Sequence, residues 1–528
     1  MKTLLPLFSL SLLAACGGGD TNVAPAPVVG ITSVPMAHVE NGVVSGLPET
    51  LTPLIPVTPV KPTTPIIPTT PVTPVTPVTP AAHQSLEAGM AQIKPLRELA
   101  GRCAAPQPSS SERSGSSNDE KSYLRAVVEE KYLWADTIPK SLLSPLNDTP
   151  QAFYASLKNP ALTPAGAPLD AYFQVQSEQA VSAAASSLAD PSYGISWVRA
   201  PAPAAWRVAD VAAGSPAAAA GIVRGDELLS IDGIDVVNEP ERAAQIRAQR
   251  ALFPRTESTH VFIFKDKPAL NLSAQLLLPT PVRYVRMLPD GIAYLMLATP
   301  AAVLQSGVAD AALIAAVSEL KGHHVSDLVV DLRYDAGASM DRANLLAAMI
   351  AGPQRTQGHS FQKTVHNARL AEHDAAYRFR THSDTGAVLP TLALSRVTLL
   401  VTHATGPANE ALINALRGIG VKVDLIGAAT PGMPYGMGVV KNCGWYYYMP
   451  QSRLGNTRGE SDYADGFAPT CAVADDLTAA LGDPAEAVLK AALSYRRDGV
   501  CPAPSTSAYE LVRTRAEKLN SLSAGIGF

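Results

Sequence analysis

From Pro53 to Pro80 a proline falls at every third position, and the run closes in the repeat Thr-Pro-Val-Thr-Pro-Val-Thr-Pro-Val-Thr-Pro. A period of three matches the polyproline II helix, which has three residues per turn and rises ~3.1 Å per residue. Twenty-eight such residues reach roughly 85 Å as a semi-rigid rod. No aromatic residue lies between Phe8 and Tyr123, so this part of the chain has nothing large to bury. It is expected to be a stalk rather than a docking ligand for an aromatic-lined groove. Residues 107–120, rich in serine, form a second soft joint. The rest of the 528 residues is different: 47% of the chain is hydrophobic, enough for sizeable cores. The 42 basic and 46 acidic side chains leave a net charge of −4, which argues against a nucleic-acid partner with its need for a basic face.

The first twenty residues concern location. Lys2 precedes the apolar stretch Leu4–Leu13, which is too short for a permanent membrane span. Leu13-Ala14-Ala15-Cys16 follows, then three glycines. This string resembles the lipobox of bacterial lipoproteins. The resemblance implies cleavage before Cys16, lipidation of that cysteine, and a membrane partner through the lipid. Position 17 is Gly17 rather than an acidic residue, so the expected site is the cell envelope, at the outer membrane facing the periplasm. Cys103, Cys443, Cys471 and Cys501 then remain, an even number suited to disulfides in an oxidising compartment. Three pairings are open. Proximity favours Cys443–Cys471, leaving Cys103–Cys501 to staple the ends of the folded part.

The folded body begins near residue 118. Tyr123, Leu124, Val127, Val128, Tyr132, Leu133 and Trp134 recur at helical spacing behind a cap at Asn118-Asp119. Ala-rich helical sequence continues to about residue 190. Over 193–280, short β-type runs (195–198, 207–211, 227–231, 260–264, 272–278) alternate with turn residues. In their midst stands Gly214-Ser215-Pro216, then Gly221-Ile222, Arg224-Gly225-Asp226 and Ile231-Asp232-Gly233. Here Ser-Pro opens a short helix, Gly221 ends it and Gly225-Asp226 turns into a strand. This string resembles a PDZ domain, which takes a peptide as an added strand at a sheet edge. The resemblance places the carboxylate-binding loop at Tyr193, Gly194, Ile195 and Ser196. Residues 290–500 alternate strands (291–297, 325–332, 396–402, 422–426) with helices (307–321, 341–350, 409–419), the pattern of a helix-covered sheet.

Three motifs in this last region resemble the C-terminal-processing (tail-specific) serine peptidases. They are Asp331-Leu332-Arg333-Tyr334-Asp335-Ala336-Gly337-Ala338, Thr405-Gly406-Pro407-Ala408-Asn409-Glu410-Ala411, and Gly427-Ala428-Ala429-Thr430-Pro431-Gly432-Met433. The segments Tyr463–Pro469, Ala474–Asp476 and Leu481–Glu486 are similar to a lipoprotein branch of that family. The resemblance implies a multidomain α/β protein. Its units would be the leader (1–20), a linker (21–117), a small helical N-terminal domain (118–192), a PDZ domain (193–280), a ClpP/crotonase-like α/β domain (281–503) and a tail (504–528).

It also implies a Ser nucleophile and a Lys base kept neutral by burial, with backbone amides for the oxyanion. Yet the nucleophile position is Pro407 and the base position is Met433. Asn409 stands where the family has a second Ser, and Ala336 and Ala338 stand where it has glycines. Gly337 and the Ala408 amide are what remains of the oxyanion site. The leading expectation is therefore a catalytically degenerate, peptide-binding pseudoprotease whose partner is a peptide or protein C-terminus. One alternative is an active endopeptidase with a relocated nucleophile, for which Thr405 with His403 is the available pair. The other is a structural envelope lipoprotein. No cofactor motif is present, and the ten histidines lack the company that would suggest zinc.

Overall fold

The computed structural model describes residues 96–108, 110–138, 149–186, 190–200, 205–277, 281–298, 306–337, 339–506 and 509–512. Cys16 with the string expected to be a lipobox, the Pro53–Pro80 run and Ala338 lie outside the described residues. The chain divides after Val78, and every described residue belongs to the second unit, Thr79–Phe528.

The strands of the α/β region are continuous apolar runs, as a sheet covered on both faces requires. Asp327–Asp331 and Ile292–Leu297 are buried at every position. They lie in a six-stranded sheet ordered 282–287, 292–297, 327–331, 396–401, 422–427, 471–472, in which the first pairing is antiparallel and the others parallel. On one face Leu295, Val330 and Leu399 pack under the helices Met340–Ala351 and Pro407–Gly418. On the other, Tyr294, Val329 and Leu400 pack under Ala487–Asp498. A second sheet is built from 375–378, 360–366, 445–455 and 435–442.

The N-terminal helix spans Ser117–Lys131. Its cap is Ser116, in a reciprocal capping box with Asp119, rather than Asn118-Asp119. The helical region also supplies a strand, Gln174–Ser177, which pairs with Trp445–Tyr448. Tyr447 and Met449 are thereby buried among Leu124, Tyr132 and Tyr154. The PDZ region forms its own antiparallel sheet, with Ile195–Arg199 next to Trp206–Val211.

The disulfides are Cys103–Cys443 and Cys471–Cys501, not the Cys443–Cys471 and Cys103–Cys501 expected from proximity. Cys443 sits at the turn of the 435–455 hairpin, in the second sheet. Cys471 lies on the edge strand of the first. The short strand Arg102–Cys103 lies against that hairpin turn, where the Gly101 N–H donates to Asn442 Oδ1 at 2.9 Å. Cys501 follows the helix that packs on the same face as Cys471. Nearness in sequence was therefore a poor guide, because the two neighbouring cysteines belong to different sheets.

Candidate functional site

The Pro407 helix starts where strand Arg396–Val401 ends, at the carboxyl edge of the parallel sheet, the usual place for a site in such folds. Pro407 is its first residue, and Gly406 is the cap. Proline suits that position because the missing N–H would have had no intrahelical partner and its fixed φ is already helical. A proline at the expected nucleophile position thus costs the helix little.

Below it, the loop after Asp331 presses backbone against backbone. The Gly406 N–H donates to Asp335 O at 3.1 Å, and a Cβ on Gly406 would lie 1.7 Å from Ala336 O. Gly337 has φ +57, and a Cβ there would lie 2.8 Å from Gly406 C. Both positions therefore require glycine.

This interlock decides what becomes of the oxyanion donors. The Ala408 N–H donates to Gly337 O at 3.2 Å. The Gly337 N–H points to Asp335 Oδ1 at 3.4 Å. Asn409 donates from Nδ2 to Asp335 O at 3.2 Å and to Asp335 Oδ2 at 3.0 Å. The two amides expected to hold an oxyanion thus both face acceptors of the protein itself. Oxyanion stabilisation needs preorganised donors aimed at the developing charge, and here they are aimed elsewhere.

The rescue pair fares no better. Thr405 is fully buried, its Oγ1 donating to Leu332 O at 3.0 Å and accepting from the Thr402 N–H at 3.0 Å. His403 is exposed. The hydroxyl is committed inward while the imidazole faces solvent.

At the expected base position Met433 is buried with Met437 and Tyr448, against half-buried Tyr172 and Tyr446. Tyr172 comes from the N-terminal helical region, and its hydroxyl donates to Gly432 O at 2.9 Å. Neither Tyr172 nor Met437 was anticipated, since nothing in the local sequence ties residue 172 to residue 433. The same loop is held by Glu410, which is fully buried. Glu410 accepts from Thr430 Oγ1 at 2.5 Å and from the Gly432 and Met433 N–H groups at 2.7 and 2.8 Å. Burial pushes its carboxyl up to about 7, even though these three donors pull the other way. Glu410 thus fastens the Pro407 helix to the Met433 loop and is shielded from solvent.

Arg333 of the first motif is wholly buried. It bonds Asp331 (Nη2 to Oδ2, 2.7 Å) and Glu486 (Nη1 to Oε1, 2.7 Å) and reaches Asp475 Oδ1 at 3.3 Å. Arg224, from the PDZ turn Arg224-Gly225-Asp226, enters the same cluster. It pairs with Asp475 and donates to Tyr334 Oη at 2.6 Å and Ala209 O at 2.5 Å. Burial alone would raise the Asp475 carboxyl, but Arg333 and Arg224 hold it below its ordinary value. Gly225 has φ +90, and a Cβ there would lie 2.5 Å from Leu477 O, so the PDZ turn docks closely on the 475–479 segment.

In the PDZ loop the Tyr193 hydroxyl donates to Ala251 O at 2.9 Å, which ties the loop to the helix Arg242–Leu252. Gly194 has φ +82, and a Cβ there would lie 2.2 Å from Ser215 Cβ. Its N–H donates to Ser192 Oγ at 3.0 Å. Ile195 and Ser196 begin the strand that is the sheet's own edge but for one short addition: residues 510–511 pair with it antiparallel, Glu510 opposite Arg199 and Leu511 opposite Val198. Among the described residues no group of histidine, cysteine, aspartate and glutamate could hold a metal ion. No described helix is long and apolar enough to cross a membrane.

Residues 207–250 match the family model of the PDZ domain, and residues 291–473 match that of peptidase family S41. Among solved structures, one described as an S41 protease from Bacteroides fragilis NCTC 9343 aligns with 72% of this chain and 97% of its own length, at 23% identity and a TM-score of 0.56. The photosystem II D1 C-terminal processing protease aligns with 68% of this chain and 93% of its own, at 18% identity and a TM-score of 0.41. No curated protein matches the chain.

Proposed function

We propose, from a PDZ domain matched at residues 207–250 and an S41-type domain matched at residues 291–473, that this chain is a catalytically silent peptide-binding protein. In this reading a lipid on Cys16 holds it in a bacterial envelope, on the periplasmic side of the outer membrane, with the Pro53–Pro80 run as spacer. It captures extended or C-terminal peptide segments and does not cut them.

The observation that carries the reading is the engagement of the Ala408 and Gly337 amides with Gly337 O and Asp335, directly beneath a proline in place of the nucleophile. Each missing element alone is severe: loss of one member of a coupled catalytic unit lowers rate by up to about a million-fold. Here a hydroxyl, an amine and both free donors are lost together. The apolar packing of Met433, Met437 and Tyr448 against Tyr172 moves the expected binding surface away from the old cleft and onto the PDZ edge, where backbone pairing supplies affinity.

The test is to incubate the purified full chain with fluorescent, unstructured twelve-residue peptides bearing free carboxylates. Anisotropy follows binding and mass spectrometry follows cleavage. Binding with intact peptide is the expected result. Cleavage would overturn the reading, and neither binding nor cleavage would favour a purely structural lipoprotein.

A further inference from the structure

The PDZ edge strand carries part of this chain's own C-terminal segment. Beyond the two ladder residues, the Val512 N–H donates to Trp197 O at 2.9 Å. The segment runs antiparallel to 195–199, so it advances toward Gly194 and the carboxylate-binding loop. Its side chains alternate as an added strand requires. Tyr509 and Leu511 pack on the cluster of Val198, Ala209 and Leu477, Glu510 between those two is exposed, and Val512 turns the other way onto the PDZ core. Tyr334, in the loop between the S41 sheet and Gly337, packs against the same cluster.

The approach to this docked strand is pinned. The Cys471–Cys501 disulfide fixes the chain to the edge of the six-stranded sheet. Ser505 continues alongside, its N–H donating to Ala472 O at 3.1 Å and its Oγ accepting from the Ala474 N–H at 2.9 Å. Four residues later the chain is at the PDZ edge.

We infer that residues 509–512 are a built-in competing ligand of the PDZ edge, which an incoming extended peptide with an aliphatic side chain at the Val512 position must displace. This rests on the peptide-capture reading above and adds both the ligand chemistry and its regulation. A segment tethered this closely acts at an effective concentration on the order of millimolar, so it masks the edge from free peptides that bind no better than itself. Because the same segment packs on the cluster that joins Val198 and Ala209 to Leu477, its departure also frees one side of the contact between the PDZ and S41 domains.

The test compares the full chain with L511D/V512D and with a chain ending at Thr506. One arm follows amide hydrogen exchange in residues 195–199. The other titrates a fluorescent synthetic peptide of residues 505–512 carrying a free carboxylate. The expected result is slow exchange at the edge in the full chain, fast exchange in both variants, and peptide affinity at least tenfold higher in both variants. Equal exchange in all three proteins overturns the inference while leaving peptide capture standing if the peptide binds all three alike. Faster exchange in the variants with no peptide bound by any protein overturns the competition and the capture reading together.

Discussion

Glu410 shows how a single side chain can be legible in sequence yet misjudged in role. It lies in the second motif, where attention falls on Pro407, but its work is to tie the Pro407 helix to the Met433 loop through three accepted hydrogen bonds. Its folded carboxyl is raised to about 7 from 4.5, so the folded chain holds a proton that the unfolded chain has lost. The stabilisation is therefore fully present below about pH 4.5 and is lost as pH rises through about 7, amounting to about 3 kcal/mol. Urea unfolding at pH 5 and pH 8 should show a larger loss for the wild type than for Glu410→Gln; equal losses would contradict the assignment. Met433→Lys makes the complementary case. A lysine there enters the apolar packing of Met437, Tyr448 and Tyr172, and burying its charge should cost ~3 kcal/mol in unfolding free energy. Unchanged stability would mean that the packing yields readily. That the expected Ser and Lys positions hold Pro407 and Met433 was plain in the sequence. The redirected Ala408 amide was not, because backbone donors take their direction from loop geometry that no side chain encodes.

At the level of elements, the sequence periods placed the parallel strands and a helix over 409–419, which the structure starts two residues earlier at Pro407, because buried runs are local signals. Pairings across hundreds of residues were hidden. Arg224 stands in a short turn motif that resembles a PDZ signature, yet it enters a buried cluster with Asp475 and Tyr334. Arg224→Met would leave Asp475 buried with one cation fewer, and unfolding free energy should fall by about 3 kcal/mol. Calorimetry should then show the PDZ region separating from the main transition. A single, unshifted transition would show that the docking does not depend on this ion pair. Tyr509-Glu510-Leu511-Val512 carries a two-residue alternation in a segment otherwise assigned to a tail, too short to stand out until its partner strand is known.

Over the whole molecule, the two disulfides close loops of very different length, with sequence separations of 340 and 30. Cross-linking restricts the unfolded chain more for the longer loop, by about 6 against about 4 kcal/mol in the chain-entropy account. Cys103→Ala with Cys443→Ala should therefore lower the unfolding midpoint more than Cys471→Ala with Cys501→Ala; the reverse order would show native packing outweighing loop entropy. The shared architecture makes inactivity the central claim. Its most direct measurement is intact-mass spectrometry of the full chain after exposure to a fluorophosphonate, with peptide turnover followed in parallel. The account predicts an unmodified mass and uncut peptide. A stoichiometric adduct on one hydroxyl, with turnover that disappears when that residue is replaced, would contradict it.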